Sequence, residues 1–276
     1  GIIRHIEYNS DADIAYETAL DHAATMGKGF WRLVTEYSDP WSFEQEIRIK
    51  RVLNPLAVFL DPAARRDPDY HTAQYGLVVE RVNKEYVCDT YGISSVTYAG
   101  WQTRGDTWTQ KTECQIADYY FHEDQSIWLV KLPTGDMRYV PIVAEPAPDD
   151  DEHALDLQDK ALQLMRSRLA DQGVIPLAED EQALWGHAQT RKRQSSIPVV
   201  WWLKIVGSMV VERTLWPGQY VPIIPCLGEE VLMERDLDYR GIVRDGIDAQ
   251  RMYNYSRSAA AEAIALERRS LRQPMR

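Results

Sequence analysis

Residues 216–225 read Trp216-Pro217-Gly218-Gln219-Tyr220-Val221-Pro222-Ile223-Ile224-Pro225, and their chemistry fixes much of what surrounds them. Trp216-Pro217-Gly218 is a turn, because proline presets one dihedral and glycine tolerates whatever the reversal demands. Pro222 and Pro225 lack the N–H that a helix interior or a central strand requires, so Val221 to Pro225 must run extended. Upstream, Ile197 to Val206 with Trp201-Trp202 inside, then Gly207, then Val210, Val211 and Leu215, predicts a hairpin. Downstream, Ala249, Met252, Tyr253, Ala259, Ala260, Ala263, Ile264 and Leu266 recur at helical spacing and predict one long helix from Asp245 to about Arg272.

The N-terminal half follows the same rules. Asn9-Ser10-Asp11 offers helix caps, and Ile14, Ala15, Ala19, Ala23 and Met26 predict a helix over about 11–26, stopped by Gly27 and Gly29. Residues 30–37 and 46–53 read as a hairpin across Asp39-Pro40. Asn54-Pro55 breaks the second strand, Leu56 to Leu60 resumes it, and Asp61-Pro62 ends it. Further strands are expected at 75–82, 116–122, 127–132 and 137–143. From Glu145 to Glu181 the chain carries eleven acidic and three basic residues, a composition that belongs to a solvated face. Leu155, Leu162, Met165 and Leu169 predict a helix within it, closed by Gly173 and Pro176, and a second short helix is expected over 179–189. The fold class is α+β: a mixed, mostly antiparallel β body with flanking helices and a long C-terminal helix. Five segments are expected: 1–29 helical, 30–145 a β-rich body, 146–190 an acidic helical insertion, 191–239 a hairpin and proline-rich extended segment, and 240–276 the outgoing helix.

With 45% hydrophobic and 26% charged residues, the 276-residue chain has the composition of a folded protein. Its net charge of −11 opposes tight phosphate binding, although a conduit along which DNA slides is better served by a repulsive wall than by many cationic contacts. Cys88, Cys114 and Cys226 are odd in number and far apart, which suits neither a disulfide framework nor a thiolate metal site and points to a reducing compartment. No apolar run approaches a membrane span, and no charged-then-apolar leader is expected at the start of the chain. Gly1 leads at once into Ile2-Ile3-Arg4-His5-Ile6, so the chain reads as a piece of a longer protein. The GxSxG, HExxH, GxxxxGK[ST] and GxGxxG patterns are absent, which lowers the expectation of an enzyme.

Three segments resemble the portal proteins of short-tailed, Salmonella-type phages. They are Gly1 to Ser10 running through Ala15-Tyr16-Glu17-Thr18-Ala19 to Gly27-Lys28-Gly29-Phe30-Trp31-Arg32; Ile47-Arg48-Ile49-Lys50-Arg51 with Asn54-Pro55 and Asp61-Pro62; and Trp216 to Pro225 followed by Arg240-Gly241-Ile242-Val243-Arg244-Asp245, Gln250-Arg251-Met252-Tyr253-Asn254-Tyr255 and Ser258-Ala259-Ala260-Ala261-Glu262. The resemblance implies part of a portal-protein fold, the outer wing and the start of the stem helix. It also implies a ring of about twelve subunits at one capsid vertex, through which double-stranded DNA is packaged and ejected. The implied partners are the terminase large subunit, scaffolding, capsid and tail adaptor proteins, with DNA passing without sequence specificity. The implied location is the virion, with assembly in the host cytoplasm. The chain departs from the family pattern after Leu266.

Each candidate site has a plainer reading beside it. Eight arginines and four acids lie between Arg240 and Arg276; they suit either a solvated helix face or contact with a neighbouring subunit. The resemblance favours the contact, with Gln250, Arg251, Tyr253, Tyr255 and Arg257 as the interface candidates. The nine tryptophans (Trp31, Trp41, Trp101, Trp108, Trp128, Trp185, Trp201, Trp202 and Trp216) have little Lys or Arg beside them except near Arg191-Lys192-Arg193, so core and interface packing is expected over base stacking. Asp149-Asp150-Asp151-Glu152 with His153 resembles a metal-site composition, but consecutive acids beside Pro146 and Pro148 read as a loop without rigid support. His122 and His187 read as structural. No catalytic, cofactor or metal residue is assigned. The rival readings are another kind of head-tail connector and a metal-dependent nuclease built on the acidic loop.

Overall fold

A computed structural model of the chain describes residues 1–67, 69–93, 113–142, 152–178, 190–207, 209–233 and 236–270. It is mixed α+β, and nearly all of its strand pairs are antiparallel. The chain divides into two compact units, one built from Gly1–Pro55 with Ile223–Arg276 and the other from Leu56–Pro222.

The first unit opens with α1 (Ile2–Asn9) and α2 (Ala12–Met26). Strands β1 (Lys28–Tyr37) and β2 (Gln45–Arg51) form the expected hairpin. Ala12, Ala15, Ala19 and Ala23 are all buried, because they fall three or four residues apart on one face. Their small size lets the backbone of α2 come down on the sheet: a Cβ at Gly29 would lie 1.9 Å from the Ala19 carbonyl oxygen. Asp11 stands at the N-cap of α2 as expected, but in a left-handed conformation and without a side-chain cap bond. Ser10 is also diverted from capping, since its Oγ accepts from the Ile49 N–H at 3.1 Å.

The second unit adds β3 (Val58–Leu60), β4 (Tyr75–Asn83), α3 (Lys84–Tyr91), β5 (Glu113–Lys131), β6 (Met137–Pro141), α4 (Glu152–Asp171), β7 (Ile175–Pro176), β8 (Arg191–Val206) and β9 (Met209–Trp216). The two strands expected at 116–122 and 127–132 are one, β5. It pairs with β8 along most of its length, and with β4 and then β6 in succession on its other edge. β3 does not resume β2. It pairs with β4 in this second sheet, and buried Asp61 closes it by accepting from the Ala63 N–H at 2.9 Å and the Gln74 N–H at 3.0 Å.

Helix α4 covers part of this sheet through Leu157, Ala161, Met165 and Leu169, four residues apart and buried against Ile127, Tyr139, Val199 and Trp201. Arg168 fastens it: the guanidinium donates to the carbonyls of Pro198 at 2.8 Å, Pro217 at 2.9 Å and Gly218 at 2.6 Å. The Trp216-Pro217-Gly218 turn is thus held from below by one side chain.

The chain re-enters the first unit as β10 (Ile223–Leu227), β11 (Glu229–Met233), β12 (Asp236–Arg240) and α5 (Ile242–Ser270). β10 pairs with β1 at the margin of a three-stranded sheet, where Pro225 costs no ladder bond to a further strand. α1, α3 and the β11–β12 hairpin are additions to the expected elements. The helix expected over 179–189, the acidic loop at 149–151, His187, Trp101, Trp108 and Trp185 lie outside the described residues.

The remaining tryptophans largely pack. Trp201 and Trp216 are buried, Trp31 meets Tyr16 edge-on at 5.2 Å, and Trp202 donates to Asp118 at 3.1 Å. One expectation about them is corrected. Arg213 lies over the Trp201 ring at 4.5 Å and Lys204 over Trp202 at 5.1 Å, so cations do stand beside these rings, Arg213 reaching Trp201 from the paired strand.

Candidate subunit interface

Gly241 fixes where α5 begins. A Cβ there would meet the Thr25 carbonyl oxygen at 2.3 Å, so the backbone preceding α5 lies directly against the end of α2. An Arg244–Asp238 ion pair ties the first turn to β12, and Asp245 places a negative charge where the helix dipole is positive. The helix starts three residues before the expected Asp245 and carries Gly246 inside it.

Beyond that point no described residue buries α5. Every residue with a described environment from Ile242 to Leu266 is exposed, among them Ile242, Met252, Tyr253, Tyr255, Ile264 and Leu266. At 1.5 Å per residue the 29-residue helix is about 43 Å long. A helix of that length with large apolar side chains in water is not stabilised by burial among the described residues.

The five interface candidates divide between two faces. With about 100° of rotation per residue, Gln250, Tyr253 and Arg257 fall within about 60° of one another, whereas Arg251 and Tyr255 lie roughly opposite. On the first face Arg257 sits 6.0 Å from the Tyr253 ring centroid, and Ile242, Ala249, Ala260 and Ile264 continue the stripe. On the second, Arg251 reaches Asp248 at 3.4 Å, an exposed pair worth little by itself. Gln250 donates to Asn254 Oδ1 at 3.2 Å. These contacts preset side-chain directions without using up the polar groups.

A family model described as "Phage P22-like portal protein" matches residues 1–271. This chain belongs to the P22-like portal protein family. A portal protein of Acyrthosiphon pisum secondary endosymbiont phage 1 is 25% identical over 98% of the chain, and the chain spans about a third (35%) of that relative's length.

Among the described residues no group of three or more His, Cys, Asp or Glu could hold a metal ion, and no helix is long and apolar enough to cross a membrane. The apolar spacing predicts the helix and its aromatics, but not that the described residues leave them exposed, because exposure depends on what the rest of the fold leaves unpaired.

Proposed function

We propose that this chain is part of a portal subunit, forming with its copies the ring at a capsid vertex through which double-stranded DNA is packaged and ejected. The observation that carries the proposal is α5, which offers two roughly opposite faces that no described residue buries. A subunit in a closed ring contacts a neighbour on each side through different surfaces, and a helix with two usable faces meets that demand. Gln250, Tyr253 and Arg257 would meet one neighbour, and Arg251 and Tyr255 the other. Residues 1–29, 30–145, 146–190 and 191–239 are assigned to the wing, and 240–276 to the opening of the stem helix.

The role is mechanical and electrostatic. A net charge of −11 keeps DNA from adhering and favours sliding, and the energy of packaging belongs to a separate motor. The terminase large subunit, scaffolding, capsid and tail adaptor proteins are the proposed partners. The proposed location is the portal vertex, reached by assembly in the host cytoplasm. Negative-stain images of the assembled protein test this: closed rings with a central channel are expected. Magnesium-dependent DNA cleavage abolished by Asp150→Ala and His153→Ala would instead support the nuclease reading.

A further inference from the structure

The tip of the β1–β2 hairpin is a closed turn. The Ser38 N–H donates to the Glu44 carbonyl at 2.9 Å, the Ser42 N–H to the Asp39 carbonyl at 3.0 Å, and the Glu44 N–H to Ser42 Oγ at 3.0 Å. On this fixed frame Trp41 is 93% exposed and Phe43 96%. Asp39 and Glu44 bracket the two rings, and no Lys or Arg occurs between Leu33 and Ile47. Such a tip is repelled by nucleic-acid phosphates and by anionic lipid. Two large exposed aromatics on a hydrogen-bonded turn are instead the kind of anchor that a protein contact uses.

The second unit holds a surface of matching chemistry. Between α4 and β9 runs an open groove of about 460 Å³ lined by Leu157, Leu164, Leu215 and Pro217 together with Lys160 and Arg213, with no acid among the described lining residues. That volume lies within the range of about 300–1,000 Å³ that accommodates compact apolar groups. Arg213 is steadied over the Trp201 ring. Lys160 pairs with Asp156 at 2.7 Å while both stay more than half exposed, which leaves the ammonium open to a second carboxylate.

We infer that the hairpin tip of one copy docks into the α4–β9 groove of a second copy, Trp41 and Phe43 against its leucines and Pro217, with Asp39 and Glu44 facing Lys160 and Arg213. Apolar rings meet an apolar floor, and acids meet cations. The two surfaces are different, so the contact is head-to-tail and repeats from copy to copy. It rests on the ring reading only for its closure, and it adds an interface separate from α5.

Cysteine trapping tests it. Phe43→Cys chains mixed with Leu164→Cys chains should form an inter-chain disulfide that neither variant forms alone. The double variant Trp41→Ala/Phe43→Ala, whose side chains are exposed, should fold normally and self-associate about thirtyfold more weakly by sedimentation. Lys160→Glu should weaken association likewise and be rescued by chains carrying Glu44→Lys. A disulfide formed only within a doubly substituted chain, unchanged association of Trp41→Ala/Phe43→Ala, or a wild-type chain that stays monomeric at every concentration overturns the inference. Rings that persist without the crosslink leave the portal reading intact and remove this contact, whereas trapping within open polymers keeps the contact and removes the ring.

Discussion

His122 is half-buried on β5, and its Nε2 is buried without a hydrogen-bond partner among the described residues. Desolvation, with Arg168 nearby adding to it and Asp124 opposing, holds its imidazolium pKa below the ordinary value. The unfolded chain therefore takes up a proton that the folded chain refuses, and stability falls as the pH drops through about 6.5. The denaturant midpoint should be lower at pH 5.5 than at pH 7.5, and His122→Phe should shrink that difference. An equal difference in the variant would assign the effect to other groups. Arg168 makes a second residue-scale case, because its guanidinium serves three backbone carbonyls. Arg168→Met should cost about 2 kcal/mol in urea unfolding by leaving those carbonyls unmatched, and Arg168→Lys should recover only part, since an ammonium cannot reproduce the planar fork. Neither role was visible beforehand. The sequence predicts only a structural role for His122, and the carbonyls that Arg168 joins lie 30 to 50 residues away in the chain.

Elements were legible where one period governs a stretch. The alanine stripe of α2 announces a buried face, and the folded chain uses it. The alternation in β2 holds only in part, since Ile49 is buried while Ile47 and Leu53 are exposed. In α4 the buried stripe is Leu157, Ala161, Met165 and Leu169, and the predicted set Leu155, Leu162, Met165 and Leu169 shares two residues with it. The losses have local causes. α1 has no capping side chain and no buried residue, so nothing in its eight residues marks its start. α3 is short, yet Asn83, which accepts from the Glu85 N–H at 3.0 Å, and left-handed Gly92 bound it as an N-cap and C-cap pair that could have been found. Leu56 to Leu60 follows β2 closely in sequence, yet β3 pairs with β4, because strand pairing is settled by partners distant in sequence. The contact of α2 with β1 yields a prediction at this scale: Gly29→Ala drives a methyl into the Ala19 carbonyl. It should destabilise the first unit by about 1–3 kcal/mol. A variant with an unchanged thermal midpoint would mean that helix and strand do not lie this close.

At the scale of the whole molecule, the proposed assembly rests on membership of the portal family and the exposed length of α5. The α5 candidates were legible as residues, since an arginine-rich, aromatic helix stands out against an acidic chain, but their division between two faces emerged only from the helix itself. Tyr253 and Tyr255 are exposed, so replacing both with alanine should leave the fold of one copy unchanged while removing an anchor from each side. Native mass measurement of the purified assembly containing this chain tests the ring directly. One closed species of about twelve copies is expected, giving way to monomers in the Tyr253→Ala/Tyr255→Ala variant. A wild-type protein that remains monomeric, or a variant whose copy number matches the wild type, would contradict it.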